Sequence, residues 1–177
     1  VLLTLSGQDS SRLWRFGRVN RTWKRATSAL EIIRQLSKDI GVVPSIPADA
    51  SDQPFDRGFV AFGQYKDVVQ ELASNIDLEF TFDDGQAVFT GKGQKRQLRV
   101  IEFSPSSGVI GSPDLQKRRV INFTSLLRGE IRPKQAFKIS GFGDEFEGFY
   151  RATKVVHKGS SWDNEYSTAI TGTRIQA

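Results

Sequence analysis

Cysteine and methionine are both absent from the 177 residues, and histidine occurs once. Without cysteine there is no disulfide and no thiol nucleophile, and a structural zinc would rest on one imidazole and carboxylates. No metal site and no cofactor are expected. His157 is the single place where a Ser-His-Asp triad or a two-histidine metal site could centre. No window approaches the roughly 18 consecutive apolar residues of a membrane helix. The start, VLLTLSGQDSS, lacks the basic and long apolar regions of a secretion signal, so neither spanning nor export is expected. No block of like charge has the length of a disordered tail. The missing initiator Met suggests processing or, more simply, that these residues are a portion of a longer chain.

What is present suits a packed core. Hydrophobic residues make up 38% and charged residues of both signs 25%, enough for one ordinary domain or two small ones. The net charge of +5 favours acidic partners in general, nucleic acid among them.

Along the chain, VLLTLSG and RLWRFGRVNRTWKR predict two strands around a polar turn at Gln8–Ser11. Ser28 and Glu31 form an S-x-x-E capping box ahead of a helix whose apolar face holds Leu30, Ile33, Leu36 and Ile40. Gly41 is placed to stop it. The stretch 42–57, VVPSIPADASDQPFDR, has three of the six prolines and predicts an extended connector. FVAF at 59–62 is a short strand, Gln64–Ile76 a second amphipathic helix, and LEFTF-DDG-QAVFT a hairpin. LEIIRQLSKDIGV at 30–42 matches KDVVQELASNIDL at 66–78 in apolar pattern. Either a duplicated unit or two generic amphipathic helices followed by strands would give that match. From Gln97 onward the text is strands alone: QLRVIEF, RRVINFTSLL, KQAFKIS, GFYRATKVVHKG and EYSTAITGTRI. This spacing suits a small antiparallel barrel or sandwich, with the boundary near SPSSGVIGS at 104–112.

Catalytic candidates are few. His157, in VVHKG, reads as a hydrogen-bonded strand-end histidine. Asp83 with Asp84, and Asp144, Glu145 and Glu147, could pair for glycosidase chemistry, but both groups sit in turns and read as solvated tips. GKG at 91–93 with Lys95 and Arg96 lacks the helix that follows a phosphate loop. No catalytic residue is assigned and no enzymatic turnover is expected. The richest stretch is Trp14, Phe16, Arg18, Arg21, Trp23 and Arg25. Its aromatic and basic residues fit either a single-stranded nucleic-acid-binding barrel or a subunit interface, and the interface is preferred.

The order of segments resembles the baseplate hub proteins of long-tailed bacteriophages, of the late control protein D kind. The stretches that carry it are RGFVAFGQYKDVVQELASNIDLEFTFDDGQAVFTGKG, SPSSGVIGSPDLQKRRVINFTSLLRGEIRPKQAFKIS and GFYRATKVVHKGSSWDNEYSTAITGTRI. Within them stand the connector GVIGSP, the Leu126-Leu127 to Pro133 segment, and a last hairpin. That hairpin runs through Gly148, Tyr150 and Arg151, then Val155, His157 and Gly159, then Thr168, Ile170 and Gly172. The resemblance implies an α+β, β-rich fold with a tail-tube-like antiparallel barrel and small helix-and-hairpin units. Residues 1–26 would complete an N-terminal barrel, 27–104 would hold the helix and hairpin units, and 105–177 would form the C-terminal barrel. It further implies a homotrimer in the virion tail baseplate, assembled in the host cytoplasm, that joins a sixfold tail tube protein to a threefold spike. Genome DNA would pass through its channel without specific binding.

Overall fold

The computed structural model describes residues 14, 16–83, 85–117, 119–160 and 166–175. The chain divides into two compact units, 1–93 and 94–177, and each has its own apolar core. The turn expected at Gln8–Ser11 lies outside the described residues.

The first unit contains, in chain order, β1 (Arg18–Trp23), β2 (Thr27–Ser28), α1 (Ala29–Asp39), β3 (Pro44–Ser45), β4 (Pro54–Phe55), β5 (Phe59–Gln64), α2 (Tyr65–Asn75), β6 (Leu78–Asp83) and β7 (Gln86–Gly91). Helix α1 starts where the capping residues place it. Ser28 Oγ accepts the Glu31 N–H at 3.2 Å, while the Glu31 carboxylate accepts from Gln35 Nε2 at 3.1 Å. The two remaining early donors go to the proline-rich stretch: Ala29 N–H to Gln53 O (3.0 Å) and Leu30 N–H to Asp52 Oδ1 (3.1 Å). That stretch is therefore the cap of α1 and the source of β3 and β4 as well as a connector. At the other end, Gly41 N–H bonds Lys38 O and Val42 N–H bonds Ser37 O, with Gly41 at φ +71°. This is a Schellman closure, and a residue with a Cβ adopts it less readily. Asp77 takes the left-handed position after α2, at φ +54°.

β1 pairs antiparallel with β5, from Arg18 opposite Gln64 to Trp23 opposite Phe59. The β1 strand thus belongs to the helical unit, and among the described residues it has no barrel partner. β7 lies between β3, parallel to it, and β6, antiparallel to it. Ile32, Ile33 and Leu36 of α1 and Val69 and Leu72 of α2 are fully buried with Trp14 and Phe89. Each such aliphatic side chain contributes roughly 1.5–3 kcal/mol.

The second unit is one six-stranded sheet made of β8 (Arg96–Phe103), β9 (Val109–Gln116), β10 (Val120–Leu126), β11 (Gln135–Ile139), β12 (Gly148–Gly159) and β13 (Tyr166–Ile175), in the order β8-β11-β12-β13-β10-β9. The division between units falls ahead of β8, rather than at 104–112, because β8 pairs with β11 and buries Phe103 in the second core. Most of the expected connector is itself strand. β9 pairs with β10 across a register shift near Asn122 and Thr124, and its Gly111 and Pro113 hide it from any propensity reading. The sheet is mixed, since β8 runs parallel to β11 and the other ladders are antiparallel. β8 and β9 are its two ends, with no ladder between them among the described residues, so the sheet is not a closed barrel. Its core is aromatic. Phe103 meets Phe123 at 4.9 Å and Phe137 at 5.8 Å edge-on, and Phe137 stacks on Tyr150 at 5.6 Å. Gly172 is required here, because a Cβ at that position would lie 2.5 Å from Phe137 Cζ.

Candidate functional site

The pairing of β1 with β5 sorts the residues of β1 onto two sides, and of the basic aromatic stretch it takes in Arg18, Arg21 and Trp23. Val19, Arg21 and Trp23 face the helices, whereas Arg18, Asn20 and Thr22 face away, opposite Gln64, Phe62 and Val60. Trp14 and Trp23 are core residues, 1% and 6% exposed. Trp14 packs on Phe80 (5.3 Å) and Phe82 (6.4 Å). Trp23 packs on Phe59 (6.1 Å) and donates Nε1–H to Gln35 Oε1 at 2.6 Å. Neither indole is presented to a partner. Arg21 lies over the Trp23 ring at 5.1 Å and pairs with Asp39 at 3.0 Å. Beside them, burial raises the Tyr65 phenol pKa; the Asp39 charge adds to the rise and Arg21 opposes it. Phe16, Arg18 and Arg25 remain exposed.

A nucleic-acid platform needs ring faces open to bases. Of the two tryptophans and one phenylalanine in the stretch, only Phe16 is open. Apolar side chains do reach solvent in this unit: Val60 and Phe62, on the outer face opposite Thr22 and Asn20, are 65% and 72% exposed, and Phe16, ahead of β1, is 64% exposed. Val60 and Phe62 carried no sequence signal as surface residues, because FVAF is apolar at every position and alternation cannot say which side is out.

The remaining candidates are structural in this fold. His157 Nδ1 lies 3.0 Å from the buried Thr168 hydroxyl, which also accepts the Arg128 N–H at 2.9 Å. At the Gly91–Gly93 turn two backbone donors are already used: Lys92 N–H goes to Asp77 O (2.8 Å) and Gly93 N–H to Glu79 Oε1 (3.1 Å). Asp83 ends β6 opposite Gln86, and Asp84 lies outside the described residues. Asp144, Glu145 and Glu147 are exposed on one loop, where Glu147 Oε1 accepts the Gly141 N–H at 3.1 Å. No group of three metal-ligating side chains occurs among the described residues. No helix among them is long and apolar enough to cross a membrane. In the second unit a groove of about 400 Å³ runs over Ile110, Thr124, Lys154, Val156 and Ala169, with Thr171 Oγ1 donating to Asn122 Oδ1 at 2.8 Å along its floor. Its lining includes no carboxylate and no imidazole.

Among solved structures the chain is similar to the 43 kDa tail protein of prophage MuSo2 from Shewanella oneidensis. The TM-score is 0.73 at 9% identity, over 95% of this chain and 69% of that one. A tail protein from Neisseria meningitidis MC58 matches with a TM-score of 0.62 at 9% identity, over 92% of this chain and 71% of that one. The fold is that of these two tail proteins. No protein-family model matches the chain, and no curated protein matches it in sequence. At such identity the likeness is one of backbone path and not of side-chain chemistry, so the exposed face of β1 and β5 is read from this chain's own residues.

Proposed function

We propose that the chain is a structural component of a phage tail, and that it works in the baseplate hub as a homotrimer between tail tube and spike. The observation that carries this reading is the fold shared with two tail proteins over more than nine-tenths of the chain. The exposed Val60 and Phe62, neighbours on one face of β5, support it, because adjacent large apolar side chains left in water mark a surface that another chain covers. Two long sheet ends, β8 and β9, lie open for the same kind of contact.

One part of the hub reading meets resistance. A threefold ring matches a sixfold tube when each chain brings two barrels. β1 is committed to β5, so among the described residues the six-stranded sheet is the one barrel-like element. Native mass spectrometry with electron-microscopy class averages of the intact protein tests both levels. The expected result is a trimeric ring with a central channel and sixfold-like modulation. A ring with plain threefold modulation removes the tube-matching role, and a monomer at every concentration removes the hub reading.

A further inference from the structure

Two turns far apart in sequence are pinned together at one end of the β1–β5 sheet. The Phe55 carbonyl accepts both the Ala26 N–H and the Gly58 N–H, each at 3.0 Å. Gly58, at φ +82°, sits so close that a Cβ there would lie 2.6 Å from Trp23 O. The pinning holds Lys24, Arg25 and Arg57 at one pole, all exposed and none with an ion-pair partner among the described residues. One carboxylate, Asp56, shares that pole. Arg21, a few residues away, shows the contrast, because it is neutralised by Asp39.

The second unit carries the opposite arrangement on the loop between β11 and β12. Asp144, Glu145 and Glu147 project from a backbone clamped by Arg174, whose Nη2 donates to Glu147 O (3.1 Å) and Tyr150 Oη (2.7 Å). Tyr150 Oη in turn donates to Phe146 O (2.7 Å). Asp144 and Glu145 have no side-chain partner among the described residues. Three cations against one carboxylate stand at one place, and three carboxylates against one guanidinium at the other. Holding like charges together on rigid turns destabilises an isolated chain. Each cluster relieves the other when they meet.

We propose that the Lys24–Arg25–Arg57 pole docks on the Asp144–Glu147 loop of a second copy of this chain, joining copies head to tail. The proposal rests on the homo-oligomer reading above and adds its register. A head-to-tail contact of two different patches closes into a ring when the rotation allows, which a self-matching patch does not do beyond two copies. Exposed ion pairs add little affinity singly but fix orientation and penalise wrong pairings. The apolar face of β1 and β5 supplies burial, and the charged poles choose the neighbour.

Charge reversal in the full-length chain is the test, with oligomer size followed against concentration by sedimentation and folding checked by circular dichroism. Lys24→Glu with Arg25→Glu, and separately Asp144→Lys with Glu145→Lys, are each expected to raise the dissociation midpoint by at least about tenfold, because like charges then face each other. All four changes in one chain are expected to restore it. Oligomers indifferent to both reversals, or reversals that the fourfold variant does not rescue, overturn the charged contact while leaving the homo-oligomer standing. A wild-type chain that is monomeric throughout overturns the homo-oligomer first.

Discussion

The two units reach comparable burial by different routes. The first wraps three small sheets around a helix pair, and its buried residues are mostly aliphatic side chains at helical spacing, with two tryptophans as wedges. The second has no α-helix among the described residues and packs one curved sheet around four aromatic rings. The two helices bring much of their apolar face from residues close in sequence, but the unit is closed by distant pairs: β1 with β5, β3 with β7, and Trp14 with Phe80 and Phe82. The sheet core depends on ladders such as β8 with β11, which join residues more than thirty positions apart. Neither core is therefore purely local, and the contrast lies in what fills them: an aliphatic helix pair with tryptophans in the first, an aromatic cluster in the second.

The largest effect sharpens that contrast in the first unit. Trp14→Ala removes a fully buried indole from between Phe80 and Phe82 and is expected to cost about 3–5 kcal/mol. Amide exchange read segment by segment should show α1, α2 and β7 losing protection while β10–β13 keep theirs. Equal loss in both units would show that they unfold as one body and remove the comparison. The matching change in the second unit is Gly172→Ala. Its methyl group enters the space of the Phe137 ring, so either the ring or the β12–β13 ladder must move, at about 1–3 kcal/mol. A melting point unchanged by that substitution would mean that the aromatic cluster repacks freely, contrary to its edge-to-face and stacked order.

How much of this could be read in the sequence follows the same division. Both helices, the Ser28 cap, the Gly41 stop and the Asp-Gly hairpin were legible, because each depends on residues within a few positions of one another. All five later strands expected from the sequence fall within a residue or two of their observed limits. The strand β9 was not legible, since Gly111 and Pro113 argue against a strand and only β10, across a bulge, makes it one. The partner of β1 was not legible either, because nothing in RVNRTW names FVAFGQ as its neighbour. The same ambiguity governs the candidate surface. Trp and Arg in RLWRFGRVNRTWKR suggested an exposed patch, yet both indoles fill the core. The apolar side chains that do face solvent include Val60 and Phe62, some forty residues later. Composition singled out the region, and strand pairing decided which of its residues reach the surface.

The smallest effect probes the parallel edge of the second sheet. Glu102 on β8 stands directly across from Lys138 on β11. Its carboxylate accepts from Ser140 Oγ at 2.8 Å and Lys138 Nζ at 3.3 Å. The Ser140 hydrogen bond first, then the Lys138 ammonium, hold its pKa below the usual carboxylate value. A carboxyl depressed in the folded state stabilises it at pH values above the unfolded-state pKa, and that contribution disappears as pH falls through the folded-state pKa. Acidification should therefore loosen the β8 end of the sheet before its centre. Glu130 is depressed in the same direction, chiefly by a backbone hydrogen bond, so Glu102→Gln removes only part of the acid sensitivity. In that variant, protection of the Ile101–Phe103 amides, taken relative to intrinsic exchange at each pH, should change little across the acid range, whereas in the wild type it should fall as pH is lowered. A wild-type profile already flat there would show that the solvent exposure of this carboxylate leaves its two partners too weakly coupled to hold the edge.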